Sequence, residues 1–449
     1  MNDMVTTGTD AKVMRRADFP RNFAWGVATA AFQIEGGARE GGRGESVWDR
    51  FCAQPGNIAD GSNGDVACDH YHRWEQDLDL IQRLGVGHYR FSIAWPRVQP
   101  TGQGAFNEEG FAFYERLIEG CVSRGIAAHV TLNHWDLPQA LQDDGGWTNR
   151  QTCEHFVRYA EEVGRRFGSR LASLVTHNEP WVVAILGHEH GVFAPGLKSR
   201  ATAMQVSHHL LLSHGWAIKA LREMGLTIPL GIVLNLSPIH AATASPEDVA
   251  KARIDDGLIV RWYMDPLFRA SYPSDVWEHL GEDAPRVEVG DLQAIAQPID
   301  FVGVNYYTRN FSSAGNPWDA KASGAAVTDM GWEIYPEGLT ELLLRLHHDY
   351  SPKALMVTEN GAAFRDAAEN GAVHDAQRVD YLRTHIQACQ DALAQGVPLT
   401  GYFAWSLMDN FEWASGYEKR FGLIYVDYPT QTRVIKDSGL WYASFLQGA

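Results

Sequence analysis

Residues 355–360 read LMVTEN, residues 399–406 read LTGYFAWS, and between them residues 376–395 repeat apolar positions at intervals of three and four. The two short runs are rich in β-branched and aromatic residues and read as strands; the periodic stretch between them reads as a helix. A strand, a helix and a strand in that order form one unit of a parallel sheet. Outward from this unit the same alternation fills the chain. Strand-like runs recur at 23–30 (FAWGVATA), 88–95 (HYRFSIAW), 127–133 (AAHVTLN), 174–180 (LVTHNEP), 229–235 (PLGIVLN) and 300–307 (DFVGVNYY), and helical patterns recur at 70–84, 107–123 and 202–224. Eight runs predict an α/β chain folded as one (β/α)8 TIM barrel, with an N-terminal tail over 1–16 and the barrel domain over 17–449.

Eight units in 449 residues average about 56 each, more than a strand and a helix need, so the surplus belongs to loops. The longest irregular stretches, 33–68, 308–335 and 407–436, each follow a strand. They are therefore assigned to the C-terminal face of the barrel, where such folds build their sites.

Composition narrows the function. The chain is 45% hydrophobic and 21% charged, as a soluble globular protein is. Its 38 Lys and Arg against 55 Asp and Glu give a net charge of −17, without a basic run. That excludes the electrostatic footprint of nucleic-acid or anionic-membrane binding and points to a neutral small-molecule ligand. The cysteines, Cys52, Cys68, Cys121, Cys153 and Cys389, are odd in number and form no CxxC pair, which argues for reduced thiols. The first residues lack the apolar core of a signal peptide, so a cytoplasmic location is expected.

Two strand ends carry a glutamate in similar settings: Asn178-Glu179-Pro180 and Thr358-Glu359-Asn360-Gly361. Their separation, 359 minus 179, is 180 residues. That is three units at about 60 residues each, which puts them on the fourth and seventh strands, facing each other across the mouth. Pro180 should keep Glu179 out of the right-handed helical region, as suits a strand terminus, and Gly361 should allow a sharp exit. Paired carboxylates at a barrel mouth are the apparatus of glycoside hydrolysis. Gln33, Arg90, His134, Trp135, Asn178, Asn305, Tyr307 and Trp405 fall at or just past the ends of other strands, and such convergence is expected of a site rather than of packing.

The motifs FAWGVATAAFQIEG, YRFSIAWPRV, TLNHWDLPQAL, THNEPW, VGVNYYT, VTENG and WSLMDNFEWASGYEKRFGLIYVD stand in one order from about residue 17 to residue 446. In them the chain resembles the family 1 glycoside hydrolases, the retaining β-glucosidases and β-galactosidases. The resemblance implies that Glu179 is the general acid/base and Glu359 the nucleophile. It implies that Arg90 and Tyr307 contact the nucleophile and that Asn305, beside Tyr307, orients it. Gln33, His134, Glu412 and Trp413 match positions that bind hydroxyls 3, 4 and 6 of the nonreducing sugar, and Asn178 matches the partner of the 2-hydroxyl. Trp405 resembles the platform under the sugar ring. Trp135, Trp332 and Phe421 complete the expected substrate contacts, with Trp332 on the leaving-group side, where His188 replaces an aromatic found in many relatives. Trp147 and Trp181 could equally be packing residues.

The implied activity is hydrolysis of terminal β-D-glucosides, with galactosides and fucosides as further substrates, through a covalent glycosyl-enzyme. A transglycosidase, a 6-phospho-β-glycosidase and a silent carbohydrate-binding barrel are the alternatives. Glu412 stands where the phosphate-specific branch carries serine, which argues against the second, and both carboxylates are present, which argues against the third. Cofactor and metal are not expected. His188-Glu189-His190 has a His-x-His spacing, but not at the end of the first strand, where metal hydrolases place it. The glycines at 36–37 and 41–44 do not fit a phosphate-binding turn.

Overall fold

The computed structural model describes residues 14–448 apart from 316 and 318. Most of the expected N-terminal tail, residues 1–13, lies outside the described residues; Arg16–Asp18 form a short 3-10 turn. Eight parallel strands close into a barrel: β1 (Ala24–Ala28), β2 (His88–Ser92), β3 (Ala127–Asn133), β4 (Ser173–Asn178), β5 (Leu230–Asn235), β6 (Phe301–Asn305), β7 (Leu355–Asn360) and β8 (Leu399–Trp405). Neighbours follow sequence order, and β8 closes on β1 with Ala28 opposite Trp405. Most strand positions are buried on both faces, which is why the strands appear in the sequence as continuous apolar runs rather than alternating ones.

The expected runs and the observed strands coincide, but several strands stop earlier at their C-terminal ends. Residues 93–95, 179–180 and 306–307 leave the ladder; of these Glu179 and Tyr307 face the mouth, while Trp95 opens a short helix and stacks on Tyr159. The four expected helices appear as His70–Arg83, Glu108–Ser123, Arg200–Glu223 and Ala376–Ala394. Gly361 serves a different purpose from the one expected. Its φ is not positive; instead an added Cβ would come 1.7 Å from the Trp405 carbonyl oxygen, so only glycine lets β7 leave beside the end of β8.

Of the three long loops, 33–68 packs behind the other two with Trp48 against Trp413, while 308–335 and 407–436 supply wall residues at the C-terminal face. The last is pinned from behind by a buried ion cluster: Lys436 Nζ lies 2.6 Å from Asp409 and 2.5 Å from Asp366, and Arg420 reaches Asp409 at 2.6 Å. Removing one member would strand a buried charge, so this cluster fixes the loop's position. The middle loop starts with Asn310–Ser312, which pairs in parallel with Ile239–Ala241. It is tied back by a bidentate Arg309–Glu333 pair at 2.8 Å. All five cysteines are free thiols, and among the described residues no helix is long and apolar enough to cross a membrane.

Candidate active site

A cavity of about 340 Å³ opens at the C-terminal ends of the strands, and Glu179 and Glu359 both line it. Glu359, the residue before the last of β7, is 3% exposed. Its Oε1 accepts from Arg90 Nη1 at 2.7 Å and its Oε2 from the Tyr307 hydroxyl at 2.7 Å. Arg90 can do this because β2 directs it into the barrel, where Nε donates to Thr131 Oγ1 at 3.1 Å and Nη2 to Asn178 Oδ1 at 2.7 Å.

Glu179 is held differently. Among the described residues its side-chain hydrogen bond comes from Asn305 Nδ2 at 2.5 Å. Pro180 does exclude the right-handed helical region, but the backbone enters the left-handed region at φ +49° rather than staying extended. Such a conformation costs of order 1–3 kcal/mol at a non-glycine residue. The Glu179 N–H bond to the Val233 carbonyl at 2.9 Å helps retain it.

These surroundings separate the two carboxyls. Burial raises both above the ordinary glutamate range. For Glu179 the charge of Glu359 adds to burial and pushes the group up to about 8. For Glu359 the rise from burial is opposed by Arg90 and Tyr307, and also by Asn305. With one proton for the pair, it resides on Glu179 and Glu359 is the ionised partner. Burial and the charge of Glu359 hold the Tyr307 hydroxyl well above its usual range, so it remains a donor.

Asn305 does not orient Tyr307, contrary to the sequence expectation. Its amide nitrogen reaches Glu179 and, at 3.1 Å, Asn178 Oδ1, while its Oδ1 accepts from Thr358 Oγ1 at 2.8 Å. The residue stands at the last position of β6, and its side chain turns toward β4 and β7 instead of along its own chain.

At the inner end the cavity is bounded by His134, Trp135, Trp405, Glu412 and Trp413. His134 stacks between Trp405 and Trp413, with centroids 5.9 and 6.0 Å away. Burial and the charge of Arg90 hold His134 well below its usual range, so it is neutral. Trp135 presents its ring, but its indole N–H is committed to the Asn178 carbonyl at 2.9 Å. Three buried polar atoms here lack a hydrogen-bond partner among the described residues: Gln33 Oε1, His134 Nδ1 and Glu412 Oε2. Burial, reinforced by the charge of Glu359, pushes Glu412 up to about 8. Glu412 does not pair with Lys419 or Arg420, which are engaged by Asp329 and Asp409. Gln33, Arg90 and Asn178 sit behind the lining rather than in it.

The outer end is lined by Trp332 and Phe421 and by Trp181, Leu186, Phe193, Ile259 and Met330. Trp181 caps and Leu186 lies in the π-helical segment Val182–Glu189, Ile259 lies in the π-helical segment Gly257–Arg261, and Phe193 and Met330 stand in loops, where neither strand nor helix periodicity marks a lining position. Trp147 is a packing residue, 2% exposed against Phe156 and His177. His188 does not line the cavity; its Nδ1 is bound to the Val183 carbonyl at 2.8 Å. Among the described residues no cluster of three or more His, Cys, Asp or Glu could hold a metal ion.

Comparison with known proteins agrees with this geometry. The family model described as glycosyl hydrolase family 1 matches residues 15–448. Beta-glucosidase A of Acetivibrio thermocellus is 46% identical over 97% of this chain and 99% of its own length. A bifunctional beta-D-glucosidase/beta-D-fucosidase of Bifidobacterium breve is 43% identical over 95% of this chain and 98% of its own. The solved family 1 β-glucosidase of Thermotoga maritima superposes with a TM-score of 0.93 at 44% identity, covering 98% of this chain and 99% of that one. With matches running the length of the barrel and through every strand that carries a site residue, the chain belongs to glycosyl hydrolase family 1.

Proposed function

We propose that the protein is a retaining β-glucosidase in which Glu359 is the nucleophile and Glu179 the general acid and base, with the barrel from residue 17 onward working as one catalytic unit. The observation that carries this reading is the different grip on two carboxyls that line one cavity: Glu359 accepts from Arg90 and from Tyr307 at 2.7 Å each, whereas Glu179 is bonded by the neutral Asn305 amide. That arrangement favours an ionised nucleophile beside a protonated acid, as a retaining mechanism requires.

In the first step a Glu359 oxygen bonds to the anomeric carbon as the bond to the leaving oxygen breaks, and Glu179 gives that oxygen its proton. Arg90 and Tyr307 hold the attacking carboxylate in line and ionised. Once Glu359 is an ester its charge is gone. The pKa of Glu179 then falls, and the same residue takes a proton from the water that hydrolyses the ester.

The unpartnered atoms of Gln33, His134 and Glu412 favour a ligand bearing several hydroxyls at the inner end. The Trp405 indole offers a face for the apolar side of the sugar ring. Terminal β-D-glucosides are the principal substrates, with β-D-fucosides and β-D-galactosides accepted, and the aglycone leaves through the outer end beside Trp332. The free thiols suit action in the cytoplasm. The test is a panel of nitrophenyl β-glycosides with the product anomer followed by proton NMR. A β-anomer formed first from the glucoside is expected; an α-anomer formed first, or no turnover of any member, would reject the reading.

A further inference from the structure

Gln33 is completely buried on the short helix Ala31–Ile34, and its amide is not free to choose what it offers a ligand. Its Nε2 donates to Asn410 Oδ1 at 2.9 Å and to the Phe411 carbonyl at 2.8 Å, which uses both N–H groups. Asn410 is fixed in its turn. Its Nδ2 donates to the Met408 carbonyl at 3.0 Å and to Ser406 Oγ at 3.0 Å. A backbone carbonyl can only accept, so Met408 forces Asn410 to present its oxygen to Gln33, and the Phe411 carbonyl demands the Gln33 nitrogen as well. Gln33 must then present nitrogen to Asn410, and its oxygen is left without a partner among the described residues.

We infer that Asn410 is a positioning residue that, in a relay together with the Phe411 carbonyl, makes Gln33 an obligate hydrogen-bond acceptor, so that the inner end selects a sugar hydroxyl able to donate. The inference rests on the proposed assignment of that end to the nonreducing sugar. The relay is rigid because Asn410 is 2% exposed and its neighbour Asp409 is anchored by Lys436 and Arg420. A buried acceptor left unmatched by a deoxygenated sugar is strongly penalised, whereas an amide free to rotate discriminates less.

The test measures kcat/KM for 4-nitrophenyl β-glucoside and its 3-deoxy and 4-deoxy analogues with wild type, Gln33→Ala, Asn410→Ala, Asn410→Asp and the Gln33→Ala/Asn410→Ala pair. Wild type should disfavour the analogue lacking the Gln33-bound hydroxyl by about 100-fold, and Gln33→Ala should shrink that deficit to about fivefold or less. Asn410→Ala should shrink the same deficit to roughly tenfold, and Asn410→Asp, which keeps an acceptor for Gln33, should hold it near the wild-type value. In the Gln33→Ala background, Asn410→Ala should change kcat/KM by less than about threefold. If Asn410→Ala does not fold, Asn410→Ser carries the same expectation. A uniform loss on all three substrates with the deficits unchanged, or additive losses in the pair, would overturn the relay alone. Deficits unmoved by Gln33→Ala itself would overturn the placement of the sugar, and the relay with it.

Discussion

Arg90 Nη1 lies 2.7 Å from Glu359 Oε1, and both side chains are almost fully buried, 3% and 4% exposed. The pair is the source of the asymmetry between the two carboxyls, because among the described residues no cation bonds to Glu179. Replacing Arg90 by Gln removes the charge that opposes the burial of Glu359, so its pKa rises. The acid limb of the kcat/KM profile should move to higher pH by about one unit or more, with at least a ~100-fold loss at the optimum. An acid limb that stays in place would show that Arg90 does not set the ionisation of Glu359.

Glu179→Gln removes the proton donor while preserving the acceptor for Asn305. Substrates with poor leaving groups should lose most, about 10³-fold or more for an alkyl glucoside, while dinitrophenyl β-glucoside should still form the intermediate at a rate close to wild type. Equal losses across leaving-group pKa values would mean that Glu179 is not the acid.

The same group links stability to pH. Glu179 is raised from 4.5 to about 8 in the folded protein. Below 4.5 both the folded and unfolded chains hold its proton. Between 4.5 and about 8 only the folded chain keeps it, so its contribution to stability falls as pH rises through this window. Glu179→Gln has no proton to lose. Its Tm relative to wild type should therefore be higher at pH 8 than at pH 5, by about 2 °C or more. A difference that does not change between the two pH values would contradict the raised pKa.

Charge at carbon 6 of the sugar tests the inner end. Glu412 lines it, and the nearby cations Lys419 and Arg420 already serve Asp329 and Asp409. A phosphate dianion would meet the Glu412 carboxyl in a cavity whose described lining holds no Lys or Arg, so its lost hydration is not replaced, and above about pH 8 the ionised carboxylate adds repulsion. Nitrophenyl β-glucoside should be turned over at least about 100-fold more efficiently than its 6-phosphate. Comparable efficiency would place the protein among phospho-glycosidases.

The barrel was legible because its strands are buried on both faces and so stand out as apolar runs between periodic helices. The two glutamates were legible because each ends such a run in a distinctive setting, and because their spacing counted three units. The direction of a side chain beyond a strand end was not legible. Asn305 adjoins Tyr307 in sequence yet turns to Glu179, a choice made by β4 and β7 packing on either side. The left-handed backbone of Glu179 was hidden for a related reason, since the proline rule excludes one region of backbone space without choosing among the others. The apolar outer wall, with Leu186, Phe193 and Ile259, comes from segments whose lining positions follow no strand or helix period. The raised pKa of Glu412 depends on burial under a loop that only the folded chain creates.

The most direct test of the account is the site of covalent attachment. Dinitrophenyl 2-deoxy-2-fluoro-β-glucoside has a reactive leaving group, so the ester forms, while the fluorine destabilises the oxocarbenium-like transition state and slows its hydrolysis. Intact mass spectrometry after inactivation should show one fluoroglucosyl group per chain, and peptide mapping should place it on Glu359. A label on Glu179 or Glu412, or turnover without any covalent adduct, would contradict the assignment of Glu359 as the nucleophile.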